Sequence, residues 1–143
     1  MSTRIEICWP DFDCTVRATL LSEMNPELCE EFKKTLPFTS IQSHAVVAGK
    51  QMYLPYRLVS EVAYQEEPMD QQPVGRVNIE LDFQYLAMNY GPMTEPVPAV
   101  PLAQIVDEDL DKIQVIGEKV WHNLLFDDHY LSVHVRLAGG DER

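Results

Sequence analysis

Cysteine and basic residues are both scarce in this chain. It contains 3 cysteines, Cys8, Cys14 and Cys29, whose number is odd and whose spacing includes no CxxC pair. A disulfide framework and a zinc site are therefore not expected. The 11 basic residues face 23 acidic ones, for a formal net charge of −12. A surface of that sign repels phosphate backbones, so we expect no nucleic-acid partner, although a locally basic pocket could still bind an anionic small molecule.

Long apolar runs and phosphate-binding loops are also missing. No apolar run approaches the length of a membrane span, and the opening segment MSTRIEICWPDFDC lacks a signal-peptide core. These features predict a cytoplasmic protein without a membrane partner. Neither GxGxxG nor a P-loop occurs, so we expect no nucleotide cofactor. The segment DDH at residues 127–129 is typical of a turn, and no metal site is expected there because adjacent residues converge poorly on one ion.

The composition is that of one globular domain. Apolar residues make up 45% of the 143 residues and charged residues 24%. A chain of this length buries its own core, so we expect one domain over residues 1–138 and a tail over residues 139–143. Apolar and polar residues alternate over residues 4–9 and 15–20, which predicts a β-hairpin. Further strands are expected over residues 39–48, 51–58, 77–85 and 131–137.

Two segments predict helices. Asn25 suits an N-cap and Pro26 the first helical position, so a helix should begin there. Later in the chain, five apolar residues recur at helical spacing: Leu110, Ile113, Ile116, Val120 and Leu124. Residues 64–76 predict a surface loop, and residues 89–101, with four prolines, predict an ordered irregular crossing. Many strands, two helices and no βαβ rhythm favour a β-rich α+β fold, either a barrel or a sandwich with helices over its ends.

Two of these segments resemble cyclophilin motifs. In NPELCEEFKKTLPF, Pro26 and Phe32 fall on the Pro and Phe of the pattern Ala-Pro-x-Thr-x-x-Asn-Phe, and SHAVVAGK resembles the next strand, Phe-His-Arg-Ile-Ile-x-Gly-Phe. The resemblance implies a closed cyclophilin-like β-barrel with two covering helices. Ala45 stands where cyclophilins carry an arginine that donates to the prolyl amide, which a methyl group cannot do. Prolyl isomerase activity is therefore not expected.

Longer segments resemble the cucumopine synthases, bacterial enzymes of opine biosynthesis. They are IQSHAVVAGKQMYLPYRL, YGPMTEPVPAVPLAQI and EKVWHNLL. The resemblance implies a cofactor-free enzyme acting on a small carboxylate-bearing metabolite. Its reaction would condense an amino acid, histidine, with 2-oxoglutarate. An imine forms first, and the imidazole carbon then closes a ring in a Pictet–Spengler reaction.

Polar residues within LPFTSIQSHAVVAGKQMYLPYR are the candidates for substrate binding. Buried polar groups without partners cost roughly a few kcal/mol each, so such groups are either bonded structure or the lining of a site. Arg57, beside Tyr56, is the expected carboxylate holder, because guanidinium binds carboxylates bidentately. Gln42 and His44 have the same side parity in a strand. We therefore expect these four residues to converge on one hollow at the mouth of the barrel.

Three residues are candidates for catalysis. His44 titrates near neutral pH and could shuttle protons, with a core histidine bonded to the backbone as the alternative. Glu95 is our choice for general base, because prolines hold its loop rigid, and Tyr90 of the same loop would bind substrate. The Tyr53 hydroxyl could donate to the substrate while Met52 provides an apolar wall, or both could be plain core.

Other hypotheses stay open at this point. The same pocket could open or close a cyclic amide, or the chain could be a non-catalytic module that binds a metabolite or a peptide. Trp121 and the apolar face of the second helix could bury against the barrel or against a second subunit. A homodimer or a higher homo-oligomer is therefore among the expectations.

Overall fold

The chain forms a β-barrel with two helices in the computed structural model, which describes residues 2–139. Its elements in chain order are β1 (Arg4–Trp9), β2 (Cys14–Leu20), α1 (Pro26–Lys33), β3 (Phe38–His44), β4 (Gly49–Pro55), β5 (Glu67–Pro68), β6 (Arg76–Glu80), β7 (Tyr85–Met93), β8 (Pro98–Ile105), α2 (Leu110–His122) and β9 (Leu131–Leu137). Within this described part, neither helix has the length and apolar character needed to cross a membrane.

Eight of the strands close into a barrel by antiparallel pairing. The order around it is β1, β2, β8, β6, β7, β4, β3, β9 and back to β1. The pairing of β2 with β8, which places Ala18 opposite Ile105, completes the circle, so neither strand is left as an open edge. The short strand β5 pairs with β8 outside the circle. The predicted β-rich class with two helices is confirmed, and the closed barrel forms rather than the sandwich.

Apolar side chains from alternate strand positions fill the barrel. Met52 and Leu54 of β4 belong to this core, as do Leu86 and Met88 of β7. The helices add a further set of buried residues, namely Leu28, Cys29 and Phe32 from α1 and Ile113, Ile116 and Val120 from α2. Because strand residues alternate between the two faces, the residues in between point to the outside. A ligand site therefore has to lie on the outer face or at an end of the barrel.

Elements encoded by local pattern are confirmed. The hairpin of β1 and β2 forms, and β9 covers the predicted range. The helix α1 begins at Pro26, although the Asn25 side chain does not cap it and instead donates from Nδ2 to the carbonyl oxygen of Pro101 over 2.8 Å. The predicted stripe of the second helix is one residue too long. Because α2 ends at His122, Leu124 lies in a π-helical turn and is 39% exposed.

The single strand predicted over residues 77–85 is wrong. β6 ends at Glu80 and β7 begins at Tyr85, with a tight turn between them. Gln84 adopts a left-handed φ of 63°, and its backbone N–H donates to the Glu80 carbonyl oxygen over 2.8 Å. Phe83 is 76% exposed at the tip of this turn. The left-handed residue reverses the chain and converts one predicted strand into parts of two.

The irregular crossing predicted over residues 89–101 is also wrong. β7 continues to Met93 and β8 begins at Pro98, so only residues 94–97 connect them. Pro101 is paired opposite Asn78, where the register between β6 and β8 shifts. A proline has no N–H to give to the ladder, and an irregularity in register is where a sheet tolerates one.

The strands predicted over residues 39–48 and 51–58 both end early. β3 stops at His44, residues 45–48 form a loop, and β4 stops at Pro55. Residues 45–48 therefore form the turn between the two strands, and Gly49 and Lys50 belong to β4. Gly49 opens β4 at a φ of 118°, where a Cβ atom would lie 2.7 Å from the Pro92 carbonyl oxygen. Of the predicted tail over residues 139–143, all but the first residue lies outside the described residues.

Candidate functional site

A cavity of about 440 Å³ lies on the outer face of the barrel, and we call it the outer cavity. Strands β4, β6 and β7 form its floor. Its rim is formed by residues 45–48, by Glu95 and Val97 of the connection between β7 and β8, and by Met69. The volume lies in the range of small-molecule sites. Among residues 2–139, no three His, Cys, Asp or Glu side chains are grouped so that they could hold a metal ion.

Strand alternation places polar side chains on the floor. Gln51 and Tyr53 flank the core residue Met52 on β4, and both line the outer cavity. Ala87 of β7 lies between Tyr53 of β4 and Asn78 of β6, as the cross-strand partner of each. Its methyl group is the smallest side chain in this row. Ala87 is itself 3% exposed, so it lies at the bottom of the outer cavity between its larger neighbours.

Carboxylates and phenols come together at one end of the outer cavity. Glu80 and Tyr85 are direct cross-strand partners, and the Tyr53 ring lies 5.4 Å from the Tyr85 ring. Burial raises the pKa of Tyr85, and the nearby Glu80, Tyr53 and Glu95 raise it further. The Tyr85 hydroxyl therefore stays protonated at neutral pH and can donate a hydrogen bond. In the part of the chain that the structure describes, neither Glu80 nor Glu95 is ion-paired with a lysine or an arginine.

His44 lies at the edge of the outer cavity and is turned toward the end of the barrel. Its Nε2 is 2.6 Å from the Tyr90 hydroxyl, its Nδ1 is 2.5 Å from the Ala45 carbonyl oxygen, and its ring packs 4.7 Å from the Trp121 ring. Burial lowers the pKa of His44, against the smaller raising effects of the Ala45 carbonyl and Glu118. The imidazole is therefore neutral at neutral pH with both nitrogens bonded.

The structure brings together the three residues predicted to be catalytic. His44, Tyr53 and Glu95 all line the outer cavity. Two of the predicted substrate-binding residues lie inside the barrel instead. Met52 is fully buried core, and the Gln42 side chain accepts from Trp9 Nε1 over 2.8 Å.

The expectation of one hollow shared by Gln42, His44, Tyr56 and Arg57 is wrong. Tyr56 is buried beside α1, where its hydroxyl lies 2.8 Å from Thr35 Oγ1 and its ring packs on Phe32 and Phe38. Arg57 is exposed and does not line the outer cavity. β4 ends at Pro55, before these two residues, so they leave the sheet rather than extend its floor. Tyr90 likewise points inward, to His44.

Several residues of the outer cavity were not predicted from the sequence. They are Gln51, Met69, Asn78, Glu80, Tyr85 and Ala87. The alternation around Val77 and Ile79 does predict that Asn78 and Glu80 point away from the core. What the pattern does not contain is the turn that brings Tyr85 opposite Glu80, because that pairing depends on where β6 ends.

Comparisons with known proteins give similarity to solved structures only. No family model and no curated protein matches this chain. The structure of McbB in complex with tryptophan is 35% identical, with a TM-score of 0.86, and the match covers 94% of this chain and 45% of that one. This chain thus spans less than half the length of that protein. A hypothetical protein from Archaeoglobus fulgidus is 16% identical, with a TM-score of 0.63, over 96% of this chain and 95% of its own, and supports the fold alone.

Proposed function

We propose that this chain is a cofactor-free enzyme that condenses an aromatic amine or amino acid with a carbonyl compound in the outer cavity. One observation carries the proposal. Glu80 and Glu95, two carboxylates without a cationic partner among residues 2–139, and the neutral phenol of Tyr85 line one cavity of small-molecule size. The 35% identity to McbB, whose structure contains tryptophan, supports an aromatic amine as one substrate.

The chemistry requires only bond formation and proton transfer. The amine nitrogen attacks the carbonyl carbon, and the oxygen leaves as water to give an iminium. A carbon of the aromatic ring then attacks the iminium carbon, which forms the new ring. A base removes the proton from that ring carbon and restores aromaticity, so the product equals the two substrates minus one water. No electrons are gained or lost overall, which is why no redox cofactor is needed.

The side chains of the outer cavity supply the required proton transfers. Glu95, carried by the short connection between β7 and β8, is proposed as the base that restores aromaticity. Tyr85 donates to the oxygen that leaves as water. Tyr53 provides an aromatic wall for the substrate ring, and the apolar Met69 and Val97 line the same cavity.

The specific reaction proposed is a Pictet–Spengler condensation of the cucumopine-synthase type on a cyclophilin-like barrel. Histidine with 2-oxoglutarate is the first substrate pair to test, as the sequence resemblance implies. Tryptophan is the second amino acid to test, because the McbB structure contains it. The small carboxylate-bearing partner and a homo-oligomeric state belong to the same proposal.

Mass spectrometry of reaction mixtures tests this function directly. Purified protein is incubated with each amino acid and a panel of 2-oxo acids and aldehydes, and the product mass is expected to equal the substrate masses minus water. The variant Glu95→Gln should lose the product, whereas Glu61→Gln, at an exposed site outside the cavity, should keep it. Absence of product from every pair would overturn the condensation. Turnover of lactams or hydantoins would then favour the ring-opening alternative, and ligand-dependent melting shifts without turnover would favour a binding module.

A further inference from the structure

A row of hydrogen-bonded side chains leads from an ion pair to the floor of the outer cavity. Arg76 binds the Glu67 carboxylate bidentately, with Nε and Nη2 each 3.0 Å from an oxygen. Gln72 Nε2 donates to Glu67 Oε1 over 3.0 Å, and Asn89 Nδ2 donates to Gln72 Oε1 over 2.9 Å. Gln51 Nε2 donates to Asn89 Oδ1 over 3.0 Å. We call these five residues the amide relay.

The carboxylate at the start of the amide relay fixes the direction of every amide in it. An amide side chain can be rotated to exchange its oxygen and nitrogen, but an ionised carboxylate only accepts. Glu67 therefore requires the nitrogen of Gln72, which turns the Gln72 oxygen toward Asn89. Asn89 must then present its nitrogen to Gln72 and its oxygen to Gln51. Asn78 bonds both ends of the Gln72 amide and is compatible with either direction.

The relay leaves one acceptor free at the outer cavity. Gln51 Nε2 is occupied by Asn89 Oδ1 and by Met69 Sδ, 3.4 Å away. Its Oε1 has no hydrogen-bond partner among the described residues, although the residue is 5% exposed and lines the outer cavity. A buried polar atom without a partner is unfavourable, so the donor that completes it is expected to come from a ligand.

The charges around this acceptor favour a cationic donor. Glu80 and Glu95 line the outer cavity, and no lysine or arginine of residues 2–139 does. Arg76 is bound to Glu67, and Lys50 is paired with Glu118 over 3.0 Å outside the lining. Two carboxylates in the same cavity favour an ammonium group over a carboxylate at the position of this open carbonyl oxygen.

We propose that Gln51 Oε1 is the acceptor for the ammonium group of the substrate in the outer cavity, where the carboxylates of Glu80 and Glu95 supply a negative potential, and that Glu67 is the positioning residue that holds this acceptor in place. This ammonium subsite rests on the proposed function because it assigns the amine substrate a place in the same cavity. The ligand class is an aromatic ring with a free primary amine on a short alkyl chain. A ligand with a carboxylate in place of that amine is rejected.

Calorimetric titration of the full chain with matched indole ligands tests the subsite without turnover. Tryptamine carries the amine alone, tryptophan carries amine and carboxylate, and indole-3-propionate carries the carboxylate alone. We expect tryptamine to bind at least about tenfold more tightly than indole-3-propionate, since a hydrogen bond to a charged group is worth that much or more. Tryptophan should also exceed indole-3-propionate. Equal affinities, or no detectable binding of tryptamine, would overturn the subsite.

Substitutions in the amide relay test whether it causes the preference for tryptamine over indole-3-propionate. Gln51→Leu should weaken tryptamine binding about tenfold, and Gln114→Leu, at an exposed position of α2, should not change it. Glu67→Gln should reduce the preference for tryptamine over indole-3-propionate, because an amide at 67 no longer dictates the direction of the relay, and Glu67→Asp should restore part of it. Melting temperatures confirm that each variant is folded. An unchanged preference in folded Gln51→Leu and Glu67→Gln would contradict the proposal.

The outcomes for the subsite and for the proposed function can be told apart. If binding is selective for the amine and depends on Gln51, but no condensed product forms, the ammonium subsite is supported and the proposed condensation reaction is contradicted. If Gln51→Leu still forms the condensed product with an unchanged KM for the amine, the ammonium subsite is contradicted and the proposed condensation reaction is supported.

Discussion

The Tyr90 hydroxyl donates a hydrogen bond to Nε2 of His44 over 2.6 Å and thereby joins β7 to the end of β3. Because His44 Nδ1 faces the Ala45 carbonyl oxygen at 2.5 Å, the ring proton resides on Nδ1 and Nε2 is the acceptor. Ala45 is also the first residue of the loop that forms the rim of the outer cavity. The pair therefore secures the point at which that rim leaves the barrel.

Removing the Tyr90 hydroxyl should destabilise the fold. Tyr90→Phe leaves His44 Nε2 buried without a donor, and the free energy of unfolding should fall by about 1–3 kcal/mol. Urea unfolding measures the change. Tyr130→Phe is the matched control, because Tyr130 is 87% exposed and its substitution should have little effect. Equal effects of the two substitutions would show that the Tyr90 hydroxyl bond contributes nothing specific.

Stability should fall on mild acidification because of His44. Burial lowers the pKa of His44 below its ordinary value of 6.5, so the folded chain takes up this proton at lower pH than the unfolded chain. Below about pH 6.5 the unfolded chain then binds more protons, and the free energy of unfolding decreases as pH falls toward the lowered pKa. The variant His44→Gln has no group at this position that takes up a proton in this pH range. The stability difference between wild type and this variant should therefore change between about pH 7.5 and about pH 5, and parallel pH profiles would contradict the assignment.

Gly117 of α2 should be irreplaceable even by alanine. A Cβ atom there would lie 2.0 Å from Cδ1 of the Tyr90 ring, far inside ordinary contact distance. Alanine is the better helix former by about 1 kcal/mol, but overpacking costs about 1–3 kcal/mol or more, so Gly117→Ala should lower the free energy of unfolding. Val115→Ala, at an exposed position of the same helix, should leave it nearly unchanged. Stabilisation by Gly117→Ala would show that Tyr90 moves aside without penalty.

The parts of the fold that the sequence predicts correctly depend on neighbouring residues alone. Alternation at Ile5, Ile7 and Trp9 identifies β1, and the Asn25–Pro26 pair identifies the start of α1, because each signal lies within one element. Closure of the barrel by β2 and β8 joins residues far apart in sequence. No local pattern contains that pairing, and the resemblance to cyclophilins supplied the expectation of closure.

The outer cavity was only partly predictable for the same reason. Glu95 was selected because prolines rigidify its segment, and it does line the cavity. Arg57 was selected for its chemistry, but β4 ends two residues before it and it lies outside. Gln51 gave no signal in the sequence, since its significance lies in an amide relay assembled from β4, β7 and the segment after β5.

Enlarging the side chain at Ala87 should abolish ligand binding. Ala87 lies between Tyr53 and Asn78 on the floor of the outer cavity, and a leucine there would occupy the open volume. Tryptamine binding measured by calorimetry should be lost in Ala87→Leu, and a cooperative melting transition checks that the variant is folded, because Ala87 is 3% exposed and a leucine there costs some stability. Ala63→Leu, on an exposed loop, should bind normally. Unchanged binding in Ala87→Leu would place the ligand elsewhere on the chain.

Substitutions of the two carboxylates of the outer cavity, Glu80 and Glu95, should have different effects on kcat for condensation. Glu80 Oε2 already accepts a hydrogen bond from the backbone N–H of Asp82 over 3.3 Å, so one of its oxygens is engaged. Glu95 makes no such bond in the described chain. Glu95→Gln should therefore lower kcat for condensation by about 10²–10⁴-fold, which is the usual contribution of a general base, and should also raise KM for the amine because it removes one of the two negative charges of the cavity.

Glu80→Gln should raise KM for the amine substrate and leave kcat nearly unchanged, because Glu80 contributes negative charge to the cavity while the base Glu95 remains. Steady-state product formation followed by mass spectrometry distinguishes the two patterns, with Glu61→Gln as the control for loss of a remote charge. Loss of kcat in Glu80→Gln with normal kcat in Glu95→Gln would transfer the role of base to Glu80. In that case the proton would be removed on the floor of the outer cavity, beside Tyr85, rather than from the connection between β7 and β8.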